Sequence, residues 1–254
     1  MKIDLNCDTG ESFGTYLLGE DELVMPLVTS VNIACGFHAS DPSNIWKSIK
    51  LAKKYNVAVG AHPSFPDLVG FGRRVMNLSS DEIKADMIYQ IGALKAFCQA
   101  EKIKLQHVKA HGALYNVAEK DIASAAAIAE AIKAVDDELI MVCMTNSAMV
   151  DAAKNIGLRY VEEFFADRAY TGEGNLVSRK LGGAVIHDEN IIAGRVIKMI
   201  KEKSVTSIEG NDIKLNAQTI CVHGDTAGAV AIIKKISEQL KKENIQTEAF
   251  GKWI

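Results

Sequence analysis

The first apolar stretch of the chain, Lys2–Asp8, alternates apolar and polar residues. Because successive side chains of a β-strand point to opposite faces, Asp4, Asn6 and Asp8 share the face opposite Ile3. Two carboxyl groups and an amide on one strand face can hold a cation or exchange protons with a substrate. We therefore expect this strand to lead into a functional site.

Other candidate strands also end in oxygen and nitrogen donors. A single histidine or aspartate there is more often a loop cap or a hydrogen-bonded filler than a catalyst. Five strands that all end in ionisable groups favour a shared site, because buried charges without partners are costly. The donors suit acid–base catalysis or a divalent metal on Asp8, His62 and His111, and their spacing leaves both open. The set is Asp4, Asn6, Asp8, Asn32, His38, His62, His111, Glu163, His223 and Asp225.

Positive charge is expected at the same end of the strands. The sequence VAVGAHPSFPDLVGFGRR presents His62 at the end of a strand and then turns through prolines and glycines to Arg73 and Arg74. Arg168 and Arg179 belong to a second long loop, and Lys109 shares a strand face with His111. Arginines in this setting suit carboxylate or phosphate recognition, so we expect an anionic substrate.

Short apolar runs alternate with longer helical patterns throughout, which predicts parallel strands joined by crossover helices. Seven strands are expected, and residues 204–215 are expected to form an added hairpin. The predicted fold class is α/β, a seven-stranded (β/α) barrel formed by residues 1–254 as one domain. An open doubly wound sheet is disfavoured, since no strand is followed by a glycine-rich phosphate loop. The strands are Lys2–Asp8, Ser30–Cys35, Val57–His62, Leu105–His111, Leu139–Met144, Arg159–Phe165 and Gln218–Asp225, and the helices Ser43–Tyr55, Ser80–Glu101, Asp121–Val135, Ser147–Ile156, His187–Lys203 and Thr226–Lys242.

Composition argues against several functional classes. The net charge of −3, with both signs mixed along the chain, gives no basic face for nucleic acid and no polybasic membrane anchor. The N-terminal residues do not resemble a signal peptide, and no apolar run is long enough for a membrane span. The five cysteines lack the paired spacing of a disulfide framework, so a reduced cytoplasmic protein is expected. The spacing Asp4-x-Asn6-x-Asp8 resembles the start of a calcium-binding loop, but such a loop has glutamate at its twelfth position and this sequence has Thr15 there. A serine-hydrolase elbow is absent.

Six blocks carry a family resemblance: DLNCDTGESFG, NIACGFHASDP, GAHPSFPDLVGFGRR, HGALYN, FADRAYTGEGNLVSR and ICVHGD. Together they resemble the LamB/YcsF family from Ile3 to Asp225. The resemblance implies a seven-stranded (β/α) barrel of the glycoside hydrolase/deacetylase type. It also implies the conversion of 5-oxo-L-proline, ATP and water to L-glutamate, ADP and phosphate, in complex with subunits B and C. Ser40, Ala110 and Ser178 depart from the family pattern, in which glycine, proline and proline are usual, and none of them replaces an ionisable residue.

Together, the family resemblance and the donor residues suggest a role for each candidate residue. The expected catalytic residues are Asp8, His62, Lys109, His111 and Glu163. The expected substrate-binding residues are Asn6, Asn32, His38, Arg73, Arg74, Arg168, Arg179, His223 and Asp225. ATP is the expected cosubstrate, a divalent metal is left open, and a homo-oligomer is compatible with the sequence. The alternatives are a stand-alone metal-dependent hydrolase or deacetylase of the same barrel superfamily, and a substrate-binding component without catalysis.

Overall fold

A computed structural model describes residues 1–222 and 228–254. Its parallel strands form a closed barrel with strand order β1-β2-β3-β4-β5-β6-β9, and β9 pairs with both β6 and β1. The seven-stranded (β/α) barrel predicted from the sequence is confirmed. The strands are β1 Lys2–Thr9, β2 Ser30–Ala34, β3 Ala58–His62, β4 Leu105–Val108, β5 Ile140–Met144, β6 Tyr160–Phe165, β7 Ser204–Thr206, β8 Asp212–Lys214, β9 Thr219–Cys221 and β10 Gln246–Thr247.

Helices cover the outside of the barrel. They are α1 Asp21–Val24, α2 Pro42–Tyr55, α3 Ser80–Ala100, α4 Gly112–Ala118, α5 Ile122–Val135, α6 Ala148–Asn155, α7 Glu189–Glu202 and α8 Ala229–Lys242, with short 3₁₀ turns at Met25–Leu27 and Phe250–Lys252. Ile3, Leu5 and Cys7 of β1 belong to the main hydrophobic core. The alternate residues Asp4 and Asn6 instead bond to polar groups of neighbouring strands. The barrel interior is therefore polar toward one end, and the apolar strand faces pack against the helices.

Several helices begin where the sequence places a cap. Asp41 accepts hydrogen bonds from the backbone N–H groups of Ser43 and Asn44 at 2.8 and 3.2 Å, and Pro42 occupies the first turn of α2. Ser79 and Glu82 form a reciprocal capping box at the start of α3. These local bonds satisfy backbone donors that a helix leaves without partners. They fix where each crossover leaves the barrel rim.

One predicted strand needs adjustment, one lies partly outside the described residues, and one helix was not predicted. The strand predicted at Leu105–His111 ends at Val108, where its pairing with β5 also ends, although the Lys109 N–H still donates to Ala61 O at 2.9 Å. Helix α4 begins directly afterwards and was not predicted. The end of the strand predicted at Gln218–Asp225 lies partly outside the described residues.

The predicted hairpin is confirmed, since β7 and β8 pair antiparallel. Among the described residues, none of the helices combines the length and the apolar character needed to cross a bilayer.

Candidate active site

A cavity of about 490 Å³ opens at the carboxyl ends of the barrel strands. Catalytic groups of (β/α) barrels gather at this end because the loops that follow the strands meet there. Four of the five predicted catalytic residues line the cavity, and aromatic and cationic side chains complete its wall. Its lining includes Asp8, His62, Arg73, Lys109, His111, Tyr115, Phe165, Arg168, Arg179 and Lys180.

Lys109 lies at the floor of the cavity and is almost fully buried. Its Nζ lies 3.1 Å from Asp8 Oδ1 and 2.9 Å from Glu163 Oε1. Burial alone would lower the pKa of Lys109, but the two carboxylates raise that pKa well above the ordinary lysine value. Cys221 Sγ lies 3.1 Å from Nζ, and burial raises the pKa of this thiol, so it remains neutral. Lys109 therefore presents a permanent positive charge to the cavity.

Glu163 lies beneath Lys109 and outside the cavity lining. Its carboxylate accepts from Asn6 Nδ2 at 3.0 Å and from the Tyr115 hydroxyl at 3.3 Å. Asn32 Nδ2 donates to Asn6 Oδ1 at 2.8 Å and to Asp8 Oδ1 at 2.7 Å. This buried network fixes the carboxylates that hold the Lys109 ammonium, as preorganised sites require.

Three histidines meet beside Asp8. His62 Nδ1 lies 2.8 Å from the backbone oxygen of Lys109, and its Nε2 lies 3.5 Å from Asp8 Oδ1. His111 Nε2 lies 2.9 Å from Phe71 O, while its Nδ1 lies 3.0 Å from His62 Nε2. The His38 ring stacks on that of His111 with centroids 3.7 Å apart. Burial, and then the neighbouring imidazoles, hold the pKa values of His38 and His111 well below the ordinary histidine value.

Glycines allow the loops to approach these rings. Gly72 has φ +62°, and a Cβ there would lie 2.8 Å from both the His111 ring and His38 Cβ. Gly112 has φ +58°, and a Cβ there would lie 2.6 Å from the Gly72 carbonyl oxygen. Both positions combine a left-handed backbone with close packing, so glycine is required twice over. The loop after β3 is thereby held against the start of α4.

Cationic side chains surround the mouth of the cavity. Arg73 and Arg179 are exposed there, as is Lys180. Arg168 is buried and donates to Val177 O at 2.6 Å; burial lowers its pKa to about 10, which leaves it charged at pH 7. Arg74 differs from Arg73, since its Nε donates to Asp67 Oδ1 at 2.9 Å and it is not part of the lining.

The structure thus separates the predicted site residues into groups. Asp8, His62, Lys109 and His111 line the cavity with Arg73, Arg168 and Arg179, while Asn6, Asn32 and Glu163 lie in the network below. His38 is buried beside the other two rings. His223 and Asp225 lie outside the described residues.

Sequence reasoning did not single out two contributors to this region. Glu11 lies against the histidines, with Oε1 3.4 Å from His38 Nε2. Lys180 lines the cavity. Glu11 stands in the block DLNCDTGESFG just past Gly10, where strand alternation no longer predicts the direction of a side chain. Only the closeness of Glu11 to the conspicuous Asp4–Asp8 run could have indicated it.

Comparisons with known proteins agree with the fold and the motifs. A family model described as the LamB/YcsF family matches residues 3–254. A Campylobacter jejuni protein (strain 81-176), named as the A subunit of 5-oxoprolinase, is 56% identical over 254 residues, which are all of both chains. A Clostridium beijerinckii protein of the same name is 58% identical over 245 residues, 96% of each chain. The crystal structure of a lactam utilization protein from Thermus thermophilus has a TM-score of 0.94 at 45% identity, covering 98% of this chain and 100% of that one. The chain therefore belongs to the LamB/YcsF family.

Proposed function

We propose that this chain is the component of an ATP-dependent 5-oxoprolinase that opens the lactam ring. In the complete reaction 5-oxo-L-proline, ATP and two water molecules give L-glutamate, ADP and phosphate. The names of relatives at 56–58% identity support the assignment. Subunits B and C of that enzyme are the proposed partners, and ATP is the proposed cosubstrate. The cationic mouth of the cavity suits a carboxylate substrate and a phosphorylated intermediate.

The observation that carries this proposal is the buried Lys109 ammonium facing the cavity beside Asp8. A five-membered lactam is a stable amide, and transfer of the terminal phosphoryl group of ATP to its oxygen makes the ring carbon electrophilic. Lys109 stabilises the negative charge of the phosphoryl group and of the water oxygen that loses its proton as it attacks that carbon. Asp8 lies at the cavity wall and accepts the proton of the attacking water.

Ring opening then breaks the carbon–nitrogen bond. The departing nitrogen keeps the electron pair and takes a proton, which leaves an acyl phosphate. A second water molecule releases phosphate and the side-chain carboxylate of glutamate. Glu163 acts as a positioning residue in this scheme, because it contacts Lys109 and not the cavity. Arg73, Arg168 and Arg179 line the mouth and bind the anionic groups of the substrate.

Reconstitution with candidate subunits B and C tests the proposal. We expect 5-oxoproline-dependent release of phosphate and glutamate in equal amounts, and only when this chain is present. Equal release without the chain would contradict the proposal. Binding of 5-oxoproline, with no loss of turnover by the complex when the histidines at the rim are substituted, would reduce the chain to a binding component. Hydrolysis of lactams or acetylated sugars by the chain alone, abolished by a chelator, would instead support the stand-alone metal hydrolase.

A further inference from the structure

One carboxylate and three imidazoles converge next to the cavity. A ligand atom from each of Glu11, His38, His62 and His111 lies within 4.8 Å of the others, and all four residues are buried. We propose that these four residues bind a divalent transition-metal ion of the zinc class. This set differs from the Asp8, His62 and His111 set that the sequence left open, and it does not depend on the proposed reaction.

The hydrogen bonds of two of the rings carry the argument. His62 Nδ1 lies 2.8 Å from Lys109 O, and His111 Nε2 lies 2.9 Å from Phe71 O. A carbonyl oxygen can only accept, so both of these ring nitrogens must carry the hydrogen. In the neutral rings the other nitrogens, His62 Nε2 and His111 Nδ1, are then bare acceptors.

Those two acceptors face each other at 3.0 Å. Two lone pairs at this distance repel each other unless a cation lies between or beside them. Histidines that bind metals characteristically donate their outer N–H to a carbonyl or carboxylate, which fixes the ring and aims the inner nitrogen at the ion. Both His62 and His111 have this arrangement already.

His38 supplies an independent observation. Among the described residues neither of its ring nitrogens has a hydrogen-bond partner, although the ring is only 1% exposed. Its Nε2 approaches Glu11 Oε1 at 3.4 Å without the geometry of a hydrogen bond. A buried polar group in this state is costly, and a metal ion would satisfy it.

The rings of His38 and His111 are nearly parallel, with 2° between their planes. One ion cannot lie in both of these planes at once, so one ring must tilt on binding. His38 is the ring that can tilt, because no hydrogen bond from the described part of the chain holds it. Glu11, His62 and His111 are therefore the principal ligands, and His38 closes the coordination shell.

The donor set selects the class of ion. Three imidazole nitrogens and one carboxylate oxygen suit zinc, cobalt or iron(II), whereas calcium and magnesium prefer oxygen ligands alone. Because His62 and His111 line the cavity, an ion bound here would be accessible to a water molecule or a substrate oxygen. The competing occupant is a proton shared between His62 and His111.

Metal binding is measured on the full chain after treatment with a chelator and dialysis. We expect one equivalent of Zn²⁺ or Co²⁺ per chain, with the intense visible absorption of low-coordinate cobalt. Glu11→Gln, His62→Gln and His111→Gln should each weaken Zn²⁺ binding by at least about 100-fold, the upper end of the effect of losing an outer-shell partner. His38→Gln should weaken it less. His187→Gln, which changes an exposed histidine, should leave binding unchanged.

Ring-nitrogen NMR of the unsubstituted chain provides a test that needs no variant. Added Zn²⁺ should shift the inner nitrogens of His62 and His111 and leave their outer N–H signals in place. An imidazolium shared by the two rings at pH 7, with no uptake of Zn²⁺ or Co²⁺, would overturn the proposal. Binding that is equally tight in Glu11→Gln and His62→Gln would also overturn it.

Discussion

The buried carboxyl group of Asp4 has a raised pKa although hydroxyl groups donate hydrogen bonds to it. It is fully buried and accepts hydrogen bonds from Thr29 Oγ1 at 2.6 Å, from Ser30 Oγ and from Thr219. Burial raises its pKa from 3.8 to about 6, against the opposing effect of these hydroxyl donors. The folded protein therefore binds a proton at Asp4 more readily than the unfolded chain does.

The sign of the pH dependence follows from this difference. Between pH 3.8 and about 6 the unfolded chain loses the Asp4 proton first, so the contribution of Asp4 to the free energy of unfolding falls as the pH rises. Asp4→Asn removes this titration. Its free energy of unfolding relative to the unsubstituted protein should rise by about 2 kcal/mol between pH 4 and pH 7. Urea titrations of both proteins at pH 4 and pH 7 measure this change. If the difference in free energy of unfolding between the two proteins is the same at both pH values, the raised pKa of Asp4 is contradicted.

Residue types and alternation predicted much of the site. The shared face of Asp4, Asn6 and Asp8 follows from a period of two along a strand. Alternation does not extend into loops. Glu11 was missed and Arg74 was expected at the cavity mouth, whereas the structure pairs Arg74 with Asp67. Those directions depend on turn geometry that one sequence does not specify.

At the scale of elements, the loop after β2 contains a residue in an unfavourable conformation. Ser40 has φ +75° in a region that favours glycine, which is the residue usual at this position in the family motif. Its side chain is buried, and its hydroxyl has no hydrogen-bond partner among the described residues. Left-handed backbone costs an ordinary residue about 1–2 kcal/mol.

Ser40→Gly should therefore raise the free energy of unfolding by about 1 kcal/mol after the entropic cost of glycine is included. Ser40→Ala is the matched control, because it removes the hydroxyl and keeps the backbone strain. Denaturant titration should give a higher free energy of unfolding for Ser40→Gly than for Ser40→Ala. The strain argument fails if the alanine variant is equally stable or more stable.

The spacing of strands inside the barrel makes a second prediction. A Cβ on Gly60 of β3 would lie 2.1 Å from His107 Nε2, which bonds to Asn32 Oδ1 at 2.8 Å. Gly60→Ala should lower the free energy of unfolding by roughly 1–3 kcal/mol or more, because the held ring cannot move aside. Gly92→Ala is the control. Apart from its chain neighbours and the nearby backbone of α3, no atom of the described residues lies within 4 Å of a Cβ built at Gly92, so alanine should raise the free energy of unfolding by up to about 1 kcal/mol. If the two substitutions change the denaturant midpoint equally, the proposed clash between a Cβ at position 60 and the His107 ring is refuted.

Element boundaries were predictable where capping residues mark them. Asp41-Pro42 and Ser79–Glu82 indicated the starts of α2 and α3. Helix α4 was missed because His111, its N-cap residue, makes no side-chain capping bond within the described chain. Its start depends instead on Gly112, whose backbone packs against the loop after β3.

At the scale of the whole molecule, closure of the barrel creates the site. Strand β9 lies between β6 and β1, so Thr219 pairs with Asp4 on one side and with Glu163 on the other. Asn6 bonds both to Thr219, at 2.7 Å, and to Glu163, at 3.0 Å. Distant parts of the chain thereby hold Lys109 from below. Strand–helix alternation predicted this architecture, but the pairing of Lys109 with two carboxylates required the closed barrel.

The central claim is that the buried Lys109 ammonium takes part in catalysis. The most direct test is the turnover rate of the reconstituted complex when its chain carries Lys109→Met. Loss of a charge-stabilising group typically costs about 100–1000-fold in rate, and we expect at least the lower figure in 5-oxoproline-dependent phosphate release. Lys84→Met removes a half-buried ammonium of α3 that pairs with Glu130 outside the cavity lining, and it should keep normal turnover. Circular dichroism must show that both variants are folded. Near-normal turnover by folded Lys109→Met would contradict a catalytic role for the buried ammonium.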